Sequence, residues 1–160
     1  MSWSASEITA LAHKAARGAG APPAQAERFG AVTALHLMAG RDATLLVRAL
    51  GDLPSGPIIQ YPVFLDACLL SGSGACVQNI QEQQLFQSYV DALPYAAHLD
   101  ASRLKLVFDL TVPRAKIQPK RILGCEVLVQ QLTDLAARTF VPESDTSRLA
   151  GAGAGLTDND

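Results

Sequence analysis

The sequence lacks paired cysteines. Its 160 residues hold three cysteines, and no two of them are spaced as C-x-x-C. A disulfide framework or a zinc knuckle needs paired, regularly spaced thiols, so both classes are excluded. We therefore expect Cys68, Cys76 and Cys125 to be small buried hydrophobic residues.

Charge is also scarce, and neither sign dominates. Thirteen basic side chains stand against fifteen acidic ones, and charged residues make up 18% of the chain. An average domain is about a quarter charged. This balance gives no field that would gather a polyanion, so we predict no nucleic-acid partner. The surface must then be rich in uncharged side chains, or part of it is covered by another protein.

No apolar run has the length of a membrane span. The longest nearly apolar stretch, residues 63–70, is eight residues long and contains Asp66. A span needs about twenty residues. The first residues, Met-Ser-Trp-Ser-Ala-Ser-Glu, carry an early acid and no cationic segment before an apolar core. We expect a soluble, cytoplasmic protein with no membrane partner.

The three histidines have no spacing that suits a metal ion. His13, His36 and His98 form neither H-x-x-H nor H-E-x-x-H, so we predict no metal site, and we expect no cofactor. His36 lies on the apolar side of a predicted helix, which favours a hydrogen-bonded core histidine. His98 falls in a predicted loop, residues 96–100, and is the one histidine placed like a site residue. Its pairing with Cys76 as base and nucleophile is a hypothesis that the sequence leaves open.

Residues 1–52 predict a unit of about three helices. Ser4 and Glu7 have the spacing of a capping box, in which each side chain bonds to the other residue's amide. Gly20 ends the first helix, and the proline pair 22–23 opens the second. Apolar residues recur at helical spacing along these segments: Ile8, Leu11, Ala12, Ala15, Phe29, Val32, Leu35, His36, Ala39, Leu45, Leu46, Ala49 and Leu50.

Residues 53–142 predict a mixed α/β part. Residues 58–70 fit either a strand, because of the β-branched pair 58–59, or a short helix that follows Pro62. The clearest strand is 104–112, where apolar residues alternate with others. Its partner strands are sought among residues 58–61, 75–80 and 115–118, and two further helices are expected at 85–93 and 125–139.

These segments together predict one α+β domain over residues 1–160, with the helical unit packed on a small sheet and further helices. A glycine-rich tail follows at residues 143–160. Ordering that tail costs on the order of 20–35 kcal/mol of backbone entropy. Burial of Leu149 and Leu156 would return only about 1.5–3 kcal/mol each. The tail is therefore either disordered or held by the body, a ligand or another subunit.

The C-terminal segment also carries the candidate ligand site. Arginine is a two-pronged donor and glycine amides line anion cradles, so this composition predicts the binding of a small anionic ligand. The terminal aspartates are expected to pair with the arginines. No catalytic residue is proposed. The candidate ligand-binding residues are Arg138, Ser144, Ser147, Arg148, Gly151, Gly153 and Asp158.

Both ends of the chain carry distinctive segments. They are SEI at 6–8, AHKAARGAG at 12–20, QAE at 25–27, ARTFVP at 137–142 and GAGAGLTDND at 151–160. These ends resemble a bacterial family of uncharacterised proteins, catalogued as domain of unknown function 3726. The resemblance implies a cytosolic bacterial protein and lends it no reaction.

We predict a non-catalytic accessory or binding subunit that self-associates, as a homo-oligomer, or docks on a larger enzyme. Low charge, the lack of catalytic spacing and a polar tail that needs a docking surface favour this function. The alternative is a small-molecule binding protein or an enzyme, with a site for an anionic ligand in the C-terminal Ser/Arg/Gly segment. A deep pocket that holds Arg138, Arg148 or His98 would favour the alternative, and a broad apolar patch would favour the subunit.

Overall fold

A computed structural model describes residues 1–77, 80–100 and 102–139 of the chain. This part contains six α-helices: α1 (Ala5–Gly18), α2 (Pro23–Met38), α3 (Thr44–Gly51), α4 (Pro57–Ser71), α5 (Gln83–Asp91) and α6 (Glu126–Ala136), the last followed by a 3₁₀ turn, Ala137–Thr139. It also contains five strands: β1 (Ser2–Trp3), β2 (Ala75–Cys76), β3 (Tyr95–Asp100), β4 (Lys105–Pro113) and β5 (Ile122–Leu123). The expected α+β class is confirmed.

The N-terminal helices begin and end where the sequence predicts. The Ser4 hydroxyl accepts a hydrogen bond from the Glu7 amide at 3.2 Å, and the Glu7 carboxylate accepts one from the Ser4 amide at 2.7 Å. The chain turns after α1 at Gly20, where φ is +101°, a conformation that glycine adopts without strain. Pro23 opens α2, where its missing amide is not needed. The predicted three-helix unit is confirmed by α1, α2 and α3.

Helix α1 packs closely against both α2 and α6. Gly30 of α2 lies on the Thr9 carbonyl, and a Cβ at Gly30 would come within 2.6 Å of that oxygen. A Cβ at Gly18 would collide with the Leu135 carbonyl of α6. Both contacts therefore depend on a missing side chain. The largest fully buried side chains come from helices and from β4: Ile8, Phe29, Val32, Leu46, Ile58, Leu65, Leu85, Phe86, Leu106 and Leu132.

Residues 57–71 form a single helix, so the strand sought at 58–61 is wrong. Ile58, Tyr61, Leu65 and Cys68 are all buried, and their spacing of three or four residues places them on one side of a helix. Pro62 lies inside α4 and removes one intrahelical hydrogen bond. The burial of apolar residues before and after Pro62 compensates for this loss and stabilises α4 as one helix.

The strand expected at 104–112 is present as β4, the centre of a three-stranded antiparallel sheet of order β2-β4-β3. Its alternation holds at Leu106, which is buried, and fails at Leu110, which is 62% exposed. The register explains the failure, because Tyr95 lies opposite Pro113 whereas Ala96 lies opposite Asp109. Residues 110–112 therefore bulge out of the ladder. The Asp109 carboxylate stabilises the bulge by accepting hydrogen bonds from the Thr111 amide and hydroxyl.

The partners of β4 are only partly those expected. Residues 75–76 of the predicted segment 75–80 pair with β4, while residues 115–118 are not a strand. The second partner is β3, in a region around His98 where the sequence predicted a loop. Two alanines in β3 weaken the apolar alternation that marks a strand. The short pair of β1 and β5 was not predicted, since two residues carry no periodicity.

Candidate functional site

Arg138 is the one predicted ligand residue that lies within the described part of the chain. It belongs to the 3₁₀ turn after α6 and borders a cleft of about 430 Å³ between α3 and α6. Val47, Leu50 and Leu135 give this cleft apolar walls. The Asp134 carboxylate shares the cleft with the Arg138 guanidinium, so the cleft presents one charge of each sign rather than a cationic field for an anion.

The other predicted ligand residues lie outside the described residues. They are Ser144, Ser147, Arg148, Gly151, Gly153 and Asp158. The predicted tail at 143–160 lies outside them as well, and so does the expected pairing of the terminal aspartates with arginines.

His98 lies on β3 and not in a loop, so its expected setting is corrected. It borders an open cleft of about 540 Å³ over β3 and β4, together with Arg114 and Ile117. The Arg114 guanidinium is committed to the backbone, because it donates to the carbonyls of Leu93, Val90 and Ala97 at 2.8–2.9 Å. Arg114 therefore anchors the end of α5 to the sheet and is a poor ligand for an anion in this cleft.

The hypothetical Cys76–His98 pair is not brought together by the sheet. Cys76 lies on β2 opposite Lys105, whereas His98 lies on β3 opposite Val107, and β4 separates the two strands. Cys76 is also exposed, which corrects the expectation that all three cysteines are buried. Cys68 and Cys125 are buried as predicted, and burial raises the pKa of both thiols.

His36 is a hydrogen-bonded core histidine, as the sequence predicts. Its Nε2 lies 2.9 Å from the Asp42 carbonyl, and its Nδ1 lies 2.8 Å from the Ser88 hydroxyl. Burial lowers the pKa of His36; the hydrogen bond to the Asp42 carbonyl opposes this effect, and the Arg41 guanidinium adds to it. Because a carbonyl only accepts, Nε2 donates to the Asp42 carbonyl. The single hydroxyl proton of Ser88 has two acceptors within reach, His36 Nδ1 and the Gln84 carbonyl at 3.0 Å.

Ser88 and His36 have the separation of a nucleophile and its base, but their surroundings make them a structural pair. Both side chains are fully buried, and the Ser88 hydroxyl also receives a hydrogen bond from Arg41 at 2.7 Å. Arg41 in turn pairs with Asp91 at 2.7 Å. This network ties α2 to α5 and leaves no room for a substrate. One feature of the sequence indicated a buried hydrogen bond at Ser88: it is a polar residue within the apolar face of the predicted helix 85–93.

The outward side of α4 is an exposed apolar surface that the sequence pattern did not predict. Ile59, Val63, Ala67 and Leu70 follow one another at intervals of four, four and three residues, so they share one side of the helix; we call them the α4 face. Val63 is 60% exposed and Leu70 is 90% exposed. The opposite side of α4 is buried in the core. Helix α4 is therefore apolar on both sides, a pattern typical of a helix that is covered all round.

One ion pair borders the α4 face. Asp66 is the sole charged residue of α4, and both terminal nitrogens of Arg28 lie 3.2 Å from its Oδ1. About half of each side chain is exposed, so solvent screens the pair and it contributes little to stability. Arg28 also donates to the Pro62 carbonyl at 3.4 Å. The rim of the face thus carries one positive and one negative group.

Other exposed apolar side chains lie apart from this face along the chain. They are Met1, Leu104, Leu110, Val112, Ile117, Leu123 and Val127. Three of them, Met1, Leu123 and Val127, lie near one another, because the Met1 amino group binds Glu126 and Ser2 pairs with Leu123. Within the described ranges, no group of three or more His, Cys, Asp or Glu side chains has the arrangement of a metal site. In the same ranges, no helix combines the length and the apolar character needed to cross a membrane.

The chain matches no family model, no curated protein and no solved structure. Its class is therefore defined by the geometry above, an α+β chain that presents an apolar helix side framed by one ion pair.

Proposed function

We propose that this protein is a cytoplasmic, non-catalytic binding subunit that contacts another protein chain through the α4 face. The observation that carries the proposal is Leu70, a large apolar side chain left 90% exposed on a helix with a single charged residue. Burial of such side chains is the main favourable term in protein association. The likeness of the chain ends to domain of unknown function 3726 belongs to the same proposal and assigns no activity.

The clefts give less support to an enzyme. The Arg138 cleft contains the Asp134 carboxylate as well as a guanidinium, and the His98 cleft contains an arginine already bonded to three carbonyls. The Ser88–His36 pair is fully buried. None of these three places combines an accessible nucleophile with a base. The α4 face, by contrast, needs nothing beyond a second apolar surface to act.

Photo-crosslinking in the producing cell tests this function. A photoreactive amino acid is placed at Val63, and a matched one at Val127, which lies on α6 and is 76% exposed. If the α4 face is a binding surface, position 63 gives a discrete protein adduct and position 127 does not. The adduct is identified by mass spectrometry and then rebuilt from purified components.

A matched variant makes the experiment specific. Leu70→Asp places a charge on the α4 face without touching the core, so it should abolish the adduct formed at position 63. Equal adducts from positions 63 and 127, or an adduct that persists in Leu70→Asp, would remove the α4 face from the function.

A further inference from the structure

We infer that the occupant of the α4 face is a second copy of this chain, with the two α4 helices packed antiparallel about a two-fold axis. The inference rests on the proposed function and names the partner. Two-fold pairing brings the same patch of both copies together, so the patch must be complementary to itself in size and in charge. The α4 face meets both conditions.

Its side chains complement one another in size. With the axis passing α4 near Leu65, the antiparallel geometry places Val63 of one copy opposite Ala67 of the other. The same register places Ile59 opposite the Leu70 end of the second helix. Val63 then faces a small side chain, and the alanine near the centre allows the helices to approach to about 8–10 Å. Helix α4 offers fifteen residues, or about 22 Å, for this contact.

The rim complements itself in charge. Asp66 lies within one residue of the axis, so two unneutralised copies of it would repel each other at the centre of the interface. Arg28 stands beside Asp66 in each copy, and the two-fold operation therefore brings each guanidinium toward the partner's carboxylate as well as its own. A strongly acidic or strongly basic partner would meet one like charge here. The net charge of −2 adds little repulsion between whole copies.

Sedimentation of the full chain over a range of concentrations tests the inference. The expected result is a concentration-dependent dimer. Val63→Asp should weaken dimerisation at least about tenfold, since it buries an unpaired charge at the axis. Val127→Asp makes the same substitution at an exposed valine outside the face and should leave the dimer unchanged. Thermal unfolding by circular dichroism checks that both variants are folded.

Charge reversal provides a second, independent measurement. Arg28→Asp makes the rim acidic and Asp66→Arg makes it basic, so each variant alone should dimerise at least about tenfold more weakly than the parent. An equimolar mixture of the two restores opposite charges across the axis and should recover a heterodimer, seen by native mass spectrometry. Recovery on mixing separates a contact across the axis from a loss of folding.

Three results would overturn the inference. The parent chain remains monomeric at all concentrations; or its dimer survives Val63→Asp; or position 63 cross-links to residues 140–160 of the same chain. In the first case, an adduct between position 63 and a different protein would leave the proposed function standing, so the two failures are distinguishable. The third result would assign the α4 face to the chain's own C-terminal end and remove both proposals.

Discussion

Helices α1 and α4 are almost equal in length but bury their apolar residues in different ways. Helix α1 has fourteen residues and α4 has fifteen. The apolar side of α1 is fully buried between α2 and α6, and its other side carries Lys14 and Arg17. Helix α4 buries one side and leaves Val63 and Leu70 exposed on the other. Within the described residues, the fold therefore covers the apolar side of α1 but only one of the two apolar sides of α4.

The difference originates in side-chain size. Helix α1 contributes three small residues to its interface, Ala12, Ala15 and Ala16, so neighbouring backbones approach it closely. Helix α4 contributes large side chains to both of its sides. Val63 and Leu70 therefore stay exposed on α4 within the part of the chain that the structure describes.

The largest expected effect separates the two sides of α4. Leu65 is 2% exposed and faces the core, so Leu65→Ala should lower the free energy of unfolding by about 2–5 kcal/mol. Leu70→Ala makes the same change on the α4 face and should stay within about 0.5 kcal/mol. Urea unfolding measures both, at protein concentrations low enough that association does not contribute.

A loss of stability in Leu70→Ala comparable to that in Leu65→Ala would contradict this comparison. It would mean that Leu70 is already covered within the monomer, and the α4 face would then be no binding surface.

The second expected effect concerns the close packing of α1. Gly18→Ala places a Cβ against the Leu135 carbonyl, so α6 must shift, and such overpacking costs about 1–3 kcal/mol. Gly51 ends α3 just as Gly18 ends α1, but a Cβ there would meet nothing within 4 Å. Gly51→Ala should therefore be neutral, or stabilising by up to about 1 kcal/mol. Thermal unfolding compares the pair, and equal behaviour would show that α1 and α6 are not held this tightly.

Much of the helical fold could be predicted because its signals are local. A capping box, a proline pair and regular apolar spacing define α1 and α2 within a few residues. The sheet was harder, since β3 contains two alanines and the bulge in β4 depends on a side-chain hydrogen bond of Asp109. Strand pairing is a long-range property, and periodicity within one segment does not specify it.

The candidate site was harder still. Residues 58–70 fitted either a strand or a short helix. The periodicity did not decide between them because α4 is apolar on both sides, and a helix with no polar side gives little periodic signal. Serine, arginine and glycine in the C-terminal segment predict an anion site there instead, and Arg138 is the member that lies within the described residues.

The smallest expected effect concerns the hydrogen bonds that hold α2 against α5. The α4 face has no comparable polar contact in the described residues. Burial lowers the pKa of His36 in the folded protein, while in the unfolded chain the imidazole binds its proton near pH 6.5. Below that pH, the unfolded state therefore holds more protons than the folded state. Lowering the pH should then lower the free energy of unfolding, by at most about 1.4 kcal/mol per pH unit. The loss stops at the folded pKa.

Urea titrations between about pH 5 and pH 7.5 measure this slope. His36→Gln should flatten it, and His98→Gln, at an exposed histidine of β3, should preserve it. Two charged groups face His36, the Arg41 guanidinium and the Asp42 carboxylate. The lowered pKa of Asp42 reflects its hydrogen bonds to Thr44, so its contribution is lost only in stronger acid. A flat profile in the parent chain would show that His36 is solvated in the folded protein. The contact between α2 and α5 would then be open to water, like the outward side of α4.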